Sequence, residues 1–346
     1  MFKKYGQILS SALTAAALLL AISISSQAAP IVIKVGTSTN AYMSQYEPWK
    51  KFKEILETEG KGRFRVEYFL GGVMGTCVDI FEKVQMGALQ MGNGSSSNLS
   101  TYVPELGALE TPFTLTRPEQ YLKLYYPGEL GRQGIPNGPF FDRINAEFLK
   151  RGTRIVHACP FQFRMLGMTH KNLNTPKAVA GKKLRVTSSV VEREVVAAFG
   201  MTPTNVPWGE LYTALQQGVV DGVDLNIDDI VAMKFSESVV YLNNVPFNAY
   251  GALSYVNERF YQSLSKEDRA LFDKAWREAF FYADKEFGTH VDEATRQMEA
   301  EGKMVIHTPT AEEMAQWETA AKPVIENNVK KYDPELIKII DAMLAE

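Results

Sequence analysis

The run from Lys266 to Glu301 constrains the fold more than any other stretch of this chain. Phe272, Ala275, Trp276, Ala279, Phe280, Ala283, Phe287, Val291, Ala294 and Met298 keep the spacing of one face of an α-helix. Ser265 and Asp268 form a capping-box pattern ahead of the run, and Gly302 follows it. As one helix it would reach about 50 Å at 1.5 Å per residue, more than one lobe needs. A kinked pair of ordinary helices would satisfy the same spacing.

Around this run, strand and helix patterns alternate. Ile31–Val35 reads as a strand ending in the polar turn Gly36–Asn40, and Tyr46–Thr58 as a helix with Trp49, Phe52, Ile55 and Leu56 on one face. Phe64–Leu70, Leu89–Met91, Thr153–Ala158, Phe161–Met168, Lys183–Thr187 and Thr204–Val206 read as strands. Val78–Met86, Val190–Phe199 and Trp208–Gln217 read as helices, the last stopped by Gly218. Val305–Thr308, Glu312–Asn328 and Pro334–Ala345 finish the chain as a strand and two helices. The pattern is α/β, and 346 residues with 45% hydrophobic and 22% charged side chains suffice for two domains and exclude disorder.

Lys3 and Lys4, the apolar stretch Ile8–Ile24 and the small residues Ser26-Gln27-Ala28 read as an export signal cleaved after residue 28. Ser10, Ser11, Thr14, Ser23 and Ser25 interrupt the apolar stretch and argue against an uncleaved anchor. Export permits a disulfide between Cys77 and Cys159, the only two cysteines. Two free, partly buried thiols are expected ahead of a bridge. The formal charge of −3, without a basic stripe, argues against nucleic acid.

Two arginines stand out, Arg164 in Phe-Gln-Phe-Arg and Arg185 in Gly-Lys-Lys-Leu-Arg-Val. Alternation in Lys183–Thr187 turns Leu184 and Val186 one way and Arg185 the other, away from the strand's own core. A single surface arginine usually sits in water or pairs with a carboxylate. Two of them, followed by Pro207-Trp208 and an acidic, glycine-containing turn, point to an oxyanion, because the guanidinium fork matches a carboxylate through two parallel hydrogen bonds. The tract Gly92–Asn98 offers backbone N–H groups and hydroxyls to an anion but lacks the lysine and spacing of a phosphate loop; a plain strand-to-helix turn explains it equally.

Other chemistries find little support. Asp224, Asn226 and Asp228 alternate like calcium ligands, but Asp229 stands where the loop glycine belongs and Phe235 where the closing glutamate belongs. Solvated acids in a loop are the expectation there. His157, His170, His290 and His307 lack metal-ligand spacing, and there is no nucleophile elbow or dinucleotide fingerprint. No metal and no cofactor are expected. A secreted hydrolase using two carboxylates stays open, since such acids need not be close in sequence.

Val84–Met91, Val103-Pro104-Glu105-Leu106, Pro112-Phe113, Arg164, Gly181–Val186 and the run Trp208–Gly222 resemble, in order, the solute-binding proteins of TRAP transporters, the tripartite ATP-independent periplasmic uptake systems. The resemblance implies a type II periplasmic-binding-protein fold, two α/β lobes around a ligand cleft with one long helix spanning both. It places residues 29–160 and 251–286 in the first lobe, and 161–250 and 287–346 in the second. It implies a monomeric periplasmic receptor that closes on a small organic anion, a carboxylate or a short sulfonate, and delivers it to a TRAP-type membrane permease. Arg185 would hold the carboxylate, Arg164 would add a second charge, Trp208 would cover the apolar part, and Thr76 and Ser95 would line the opposite lobe. Where many members have a ligand-contacting asparagine this sequence has Leu225, which brings forward its neighbour Asn226. The same fold serving a sensor kinase or chemoreceptor would differ only in its partner.

Overall fold

The computed structural model describes residues 29–41, 46–160, 164–247, 251–302 and 304–345. The export segment and Phe161–Phe163 of an expected strand lie outside them. Among the described residues eleven strands form two sheets. The first holds β1 (Ile31–Gly36), β2 (Phe64–Phe69), β3 (Met91–Ser95), β4 (Thr153–Pro160) and β10 (Gly251–Asn257), in the order β2-β1-β3-β10-β4. The second holds β5 (Met165–Met168), β6 (Lys183–Val186), β7 (Thr202–Asn205), β8 (Gly222–Leu225), β9 (Tyr241–Asn243) and β11 (Val305–His307), in the order β11-β9-β5-β8-β6-β7.

Each sheet mixes parallel and antiparallel pairs. β1 runs parallel to β2 and β3, while β10 runs antiparallel to β3 and β4. In the second sheet β6 is parallel to β7 and β8, and β5 is antiparallel to β8 and β9. The chain leaves the first sheet after β4 and returns at β10, so β10 is the inserted antiparallel strand of a sheet otherwise begun by the amino-terminal half.

The tract Gly92–Asn98, read from sequence as a turn, is in its first half the strand β3. Its glycines mislead because strand interiors seldom contain them. Here the reason is steric: Gly92 lies opposite Tyr255 of β10, and a Cβ on it would come within 2.7 Å of that ring.

Flanking helices cover the faces of both sheets. α1 (Glu47–Gly60) buries Trp49, Phe52, Ile55 and Leu56, the spacing seen in the sequence. The two lobes meet across the cleft and share a strut, the unbroken helix α9 (Lys266–Glu301). Phe272, Ala275, Trp276 and Ala279 pack with α1 against the first sheet, and Ala294 and Met298 pack with Leu225, Ile230 and Leu242 of the second lobe. Phe52 stacks on Trp276 at 4.4 Å, and Trp49 meets it edge-on at 4.9 Å. Such aromatic pairs add about 0.5–1.5 kcal/mol each beyond burial. The helix therefore fixes the first lobe firmly against its own start while its far end serves the second.

The last two helices separate. α10 (Ala311–Lys331) packs on α6 (Val190–Ala198), with Trp317 edge-on to Phe199 at 4.8 Å. α11 (Pro334–Ala345) packs instead on α4 (Pro118–Tyr125) and α5 (Gly138–Lys150), burying Leu336 and Ile340 beside Tyr125, Phe140 and Ile144. The division drawn from sequence put residues 287–346 with the second lobe; the apolar face of α11 draws that helix back to the first.

Candidate functional site

A cavity of about 430 Å³ lies between the two sheets. Ser38, Thr39, Thr76, Cys77, Ser95 and Asn98 are on its first-lobe wall, and Arg164, Arg185, Thr187, Ser188, Trp208 and Asp229 on its second. The ends of β1 and β3 feed the first wall and the end of β6 the second, where open α/β sheets bind ligands.

Arg185 sits on β6 between Leu184 and Val186 and is 4% exposed. Strand alternation sends it away from the apolar core and into the cavity. Its Nε donates to the carbonyl of Val206 at 3.1 Å, and its guanidinium carbon lies 5.9 Å from the centre of the Trp208 ring. Both contacts orient the fork.

Arg164, 1% exposed, also borders the cavity but is held from behind. Its Nη1 donates to Glu192 Oε1 at 2.9 Å and lies 3.1 Å from Asp224 Oδ2, and its Nε donates to the Asp224 carbonyl at 3.1 Å. Burial pushes Glu192 up, but Arg164 and Arg185, with hydrogen bonds from the N–H and hydroxyl of Thr187, outweigh it and hold the carboxyl below its ordinary range. Asp224 behaves oppositely. Burial raises it well above the usual range despite Arg164, and the charge of the neighbouring Glu192 adds to the rise. The two acids behind Arg164 are thus pushed in opposite directions, Glu192 toward its charged form and Asp224 toward its protonated form.

The acids of residues 221–229 were expected in solvent. Asp224 is fully buried on β8, Asp228 is 6% exposed and Asp229 2%. For Asp224 the reason is Arg164, whose Nη1 lies 3.1 Å from Asp224 Oδ2 and supplies a counter-charge to the buried acid. Glu192 was missed because nothing in the helical pattern Val190–Phe199 marks one acid as buried; Ser189 caps the helix, accepting from the Glu192 N–H.

The remaining candidates divide. Trp208 lines the cavity beside Pro207, edge-on to Phe235, and its buried Nε1 finds no hydrogen-bond acceptor among the described residues. Thr76 and Ser95 line the opposite wall, yet their oxygens already cap helices. Thr76 forms a capping box with Asp79 at the start of α2 (Cys77–Gln85), and Ser95 accepts from Asn98 at the start of α3 (Ser96–Leu99). Asn226 does not line the cavity. It caps the helix Ile227–Ala232 (α8) by accepting from the Asp229 N–H, and is 1% exposed; the short helix Leu211–Gln216 (α7) follows Trp208. Cys77 and Cys159 are not joined in a disulfide, and Cys77 borders the cavity with its sulfur 3.3 Å from Ser38 Oγ. Among the described residues no group of acids, histidines and cysteines could hold a metal ion.

Hydrogen bonds cross the cleft. Asn98 Oδ1 accepts from the Ser188 N–H at 3.3 Å and its hydroxyl at 2.9 Å, and Ser188 also meets Thr101 Oγ1 at 3.2 Å. Ser189 donates to Glu110 Oε2 at 2.6 Å. Burial raises the Glu110 carboxyl to about 7, partly offset by this bond and reinforced by the charge of Glu192.

A raised carboxyl contributes stability in full below its unfolded value and loses it as pH rises through the folded value. The window for Glu110 is thus from about 4.5 to about 7, and the contribution on the order of 3 kcal/mol. Glu110→Gln keeps the acceptor for Ser189 and removes the titration. It is expected to gain stability relative to the parent between about pH 5 and about pH 8, measured by urea unfolding. A parallel pH dependence in both proteins would exclude the assignment.

Comparison with known proteins places these features in context. Residues 35–331 match the family model described as bacterial extracellular solute-binding protein, family 7 (DctP). The C4-dicarboxylate-binding periplasmic protein DctP of Rhodobacter capsulatus is 27% identical over 98% of this chain and 99% of that protein. The ectoine/5-hydroxyectoine-binding periplasmic protein UehA of Ruegeria pomeroyi is 26% identical over 80% of this chain and 78% of that protein. Among solved structures, a TRAP periplasmic solute-binding protein of Sulfurospirillum deleyianum with bound succinate superimposes with a TM-score of 0.81 at 24% identity, covering 91% of this chain and 100% of that one. Another from Desulfovibrio salexigens, with bound orotic acid, gives 0.80 at 22% identity over 91% and 98%. These structures share the two-lobed fold. No described helix is long and apolar enough to cross a membrane.

Proposed function

The chain belongs to the bacterial extracellular solute-binding protein family 7, and from that premise we propose that it is an exported, monomeric receptor that captures a small organic anion between its lobes and delivers it to a TRAP-type membrane permease. Residues 1–28 would be removed on export to the periplasm. The observation that carries the reading is Arg185, a buried, oriented guanidinium at the wall of an inter-lobe cavity.

In this reading Arg185 receives the ligand's carboxylate in a bidentate pair. Arg164 keeps that wall positive and positioned while its own charge is balanced by Glu192. Trp208 covers the body of the ligand, and its indole N–H is available to a ligand oxygen. Thr76 and Ser95 contribute shape more than free hydrogen bonds, since both already cap helices. Asn226 acts through α8, which it caps, to hold Asp229 at the cavity wall.

Opening and closing are two populated states, and a ligand touching both walls favours the closed one. The Ser188 bonds to Asn98 and Thr101 belong to the closed state. The relatives named for a C4-dicarboxylate and for ectoine support a small polar solute, and the family is one of receptors. The test is mass spectrometry of what co-purifies with the periplasmic protein, followed by thermal-shift titration with organic acids. A ligand at a hundred times its Kd should add about 2.7 kcal/mol of stability. Catalytic conversion of the bound acid, or silence with every organic acid, would remove the receptor reading.

A further inference from the structure

Two consecutive residues ahead of α6 carry contacts between the lobes. Ser188, on the cavity wall, meets Asn98 and Thr101, and Ser189 reaches inward to Glu110. Glu110 ends the turn Pro104–Glu110, whose Leu106, Ala108 and Leu109 pack in the first-lobe core with Leu253 and Tyr255. Ser189 caps α6, whose Val191 and Val195 pack in the second-lobe core with Leu184 and Val186 of β6. The bond from the Ser189 hydroxyl to Glu110 Oε2, 2.6 Å long, thus joins an acid of one lobe to a neutral donor of the other.

The surroundings of Glu110 suit a carboxylic acid and not a carboxylate. It is 1% exposed, its Oε1 has no hydrogen-bond partner, and among the described residues it forms no ion pair. On α6, Glu192 faces it as a like charge, and that repulsion outweighs the attraction of Arg164, whose guanidinium already serves Glu192 and Asp224. Arg193 of the same helix is directed to the Ser188 carbonyl at 3.0 Å. Tyr332, between the last two helices, faces the turn, with Glu105 and Glu194 as further negative charges around its hydroxyl. From the first lobe α3 offers the hydroxyl of Ser97. A carboxylate in this place would be desolvated with one neutral donor and a neighbouring negative charge. A protonated acid keeps Ser189 as its donor and can itself donate from Oε1 toward Ser97 Oγ, another buried atom without a partner.

We propose that Glu110 is a proton latch between the lobes: closure of the receptor buries this carboxyl with a proton on it, and opening lets it into water, where the proton leaves. This rests on the receptor reading, in which the lobes part to admit a solute, and adds that solute binding takes up a proton. Burial holds the carboxyl at about 7 in the closed protein, against an ordinary 4.5. An acid raised in the closed state favours closure in full below its open value and loses that contribution as pH rises through the closed one. Affinity therefore falls between about pH 5 and about pH 8.

The experiment is calorimetric titration of the mature protein, freed of co-purified ligand, with pyruvate, lactate, fumarate, benzoate, glucuronate and ethanesulfonate, all ionised above about pH 5.5. The tightest binder among these six and any acid that co-purifies is carried through a pH series. Its affinity is expected to fall about 30-fold from about pH 5.5 to about pH 8, and titrations in buffers of different ionisation enthalpy to show about one proton taken up per molecule bound near about pH 6. Glu110→Gln keeps the acceptor for Ser189 and places an N–H where the acid carries its O–H. It is expected to hold the parent's acid-pH affinity throughout, and so to bind about 30-fold more tightly than the parent at about pH 8. The proton count needs no variant, and a count near zero in the parent overturns the latch. Parallel pH profiles in parent and variant overturn the assignment to Glu110. Both results leave the receptor reading standing, whereas silence of all six acids with no acid co-purifying removes that reading and the latch with it.

Discussion

Arg185→Ala is expected to lower anion affinity by about 10²- to 10³-fold while leaving the thermal midpoint close to that of the parent protein. Truncating one partner of a buried, hydrogen-bonded charge pair costs about 2–5 kcal/mol of binding free energy, chiefly because the other charge is left desolvated and unmatched. The fold tolerates the change because Arg185 is not the main partner of a buried acid. Glu192 retains Arg164 at 2.9 Å and both donors of Thr187, and Val206 loses one hydrogen bond to its carbonyl. Arg185→Lys keeps the charge but not the fork or the Val206 contact, and should fall between the two. Calorimetry with the co-purified acid, alongside thermal unfolding, separates the outcomes. Unchanged affinity in the alanine variant would take the carboxylate away from Arg185, and unfolding of both variants would make it a structural residue.

How much of this was legible beforehand differs by element and by cause. The strut α9 was plain because its apolar spacing continues from Phe272 to Met298, and only the choice between one helix and two needed coordinates. β3 was half hidden because Gly92 and Gly94 carry no β signal; the ring of Tyr255, far along the sequence, makes glycine necessary. Arg185 could be read from strand alternation, a local property. Arg164 could be read as important but not for its partners, since Glu192 and Asp224 lie 28 and 60 residues away and each has an innocuous local reading. Asn226 shows the same limit: its side chain serves the start of α8 instead of the cavity, a difference of one residue's direction that no pattern records. Glu110 gave no signal because nothing local distinguishes a buried glutamate from an exposed one in a Pro-Glu-Leu-Gly-Ala-Leu-Glu run.

Arg164→Ala should show the reverse profile to Arg185→Ala, with its largest effect on stability. The substitution leaves Glu192 and Asp224, both fully buried, without their shared cation. Removing one member of a buried ion pair typically costs about 3–5 kcal/mol. The pH dependence identifies the cause. In the parent, Glu192 is held below its ordinary range, so its contribution is present above the unfolded carboxylate value and is lost as pH falls through the folded one. In the variant its carboxyl rises toward protonation, because burial, which already pushes it up, is opposed only by Arg185 and Thr187. The destabilisation relative to the parent should therefore be greatest near about pH 8 and shrink toward about pH 5, where the abandoned Glu192 can take up a proton. Urea unfolding of both proteins at the two pH values measures this directly. A constant difference would mean that the cost is lost packing of the guanidinium and not an unbalanced charge. Little loss of stability, with affinity falling as far as in Arg185→Ala, would return Arg164 to the role of a second ligand-binding fork.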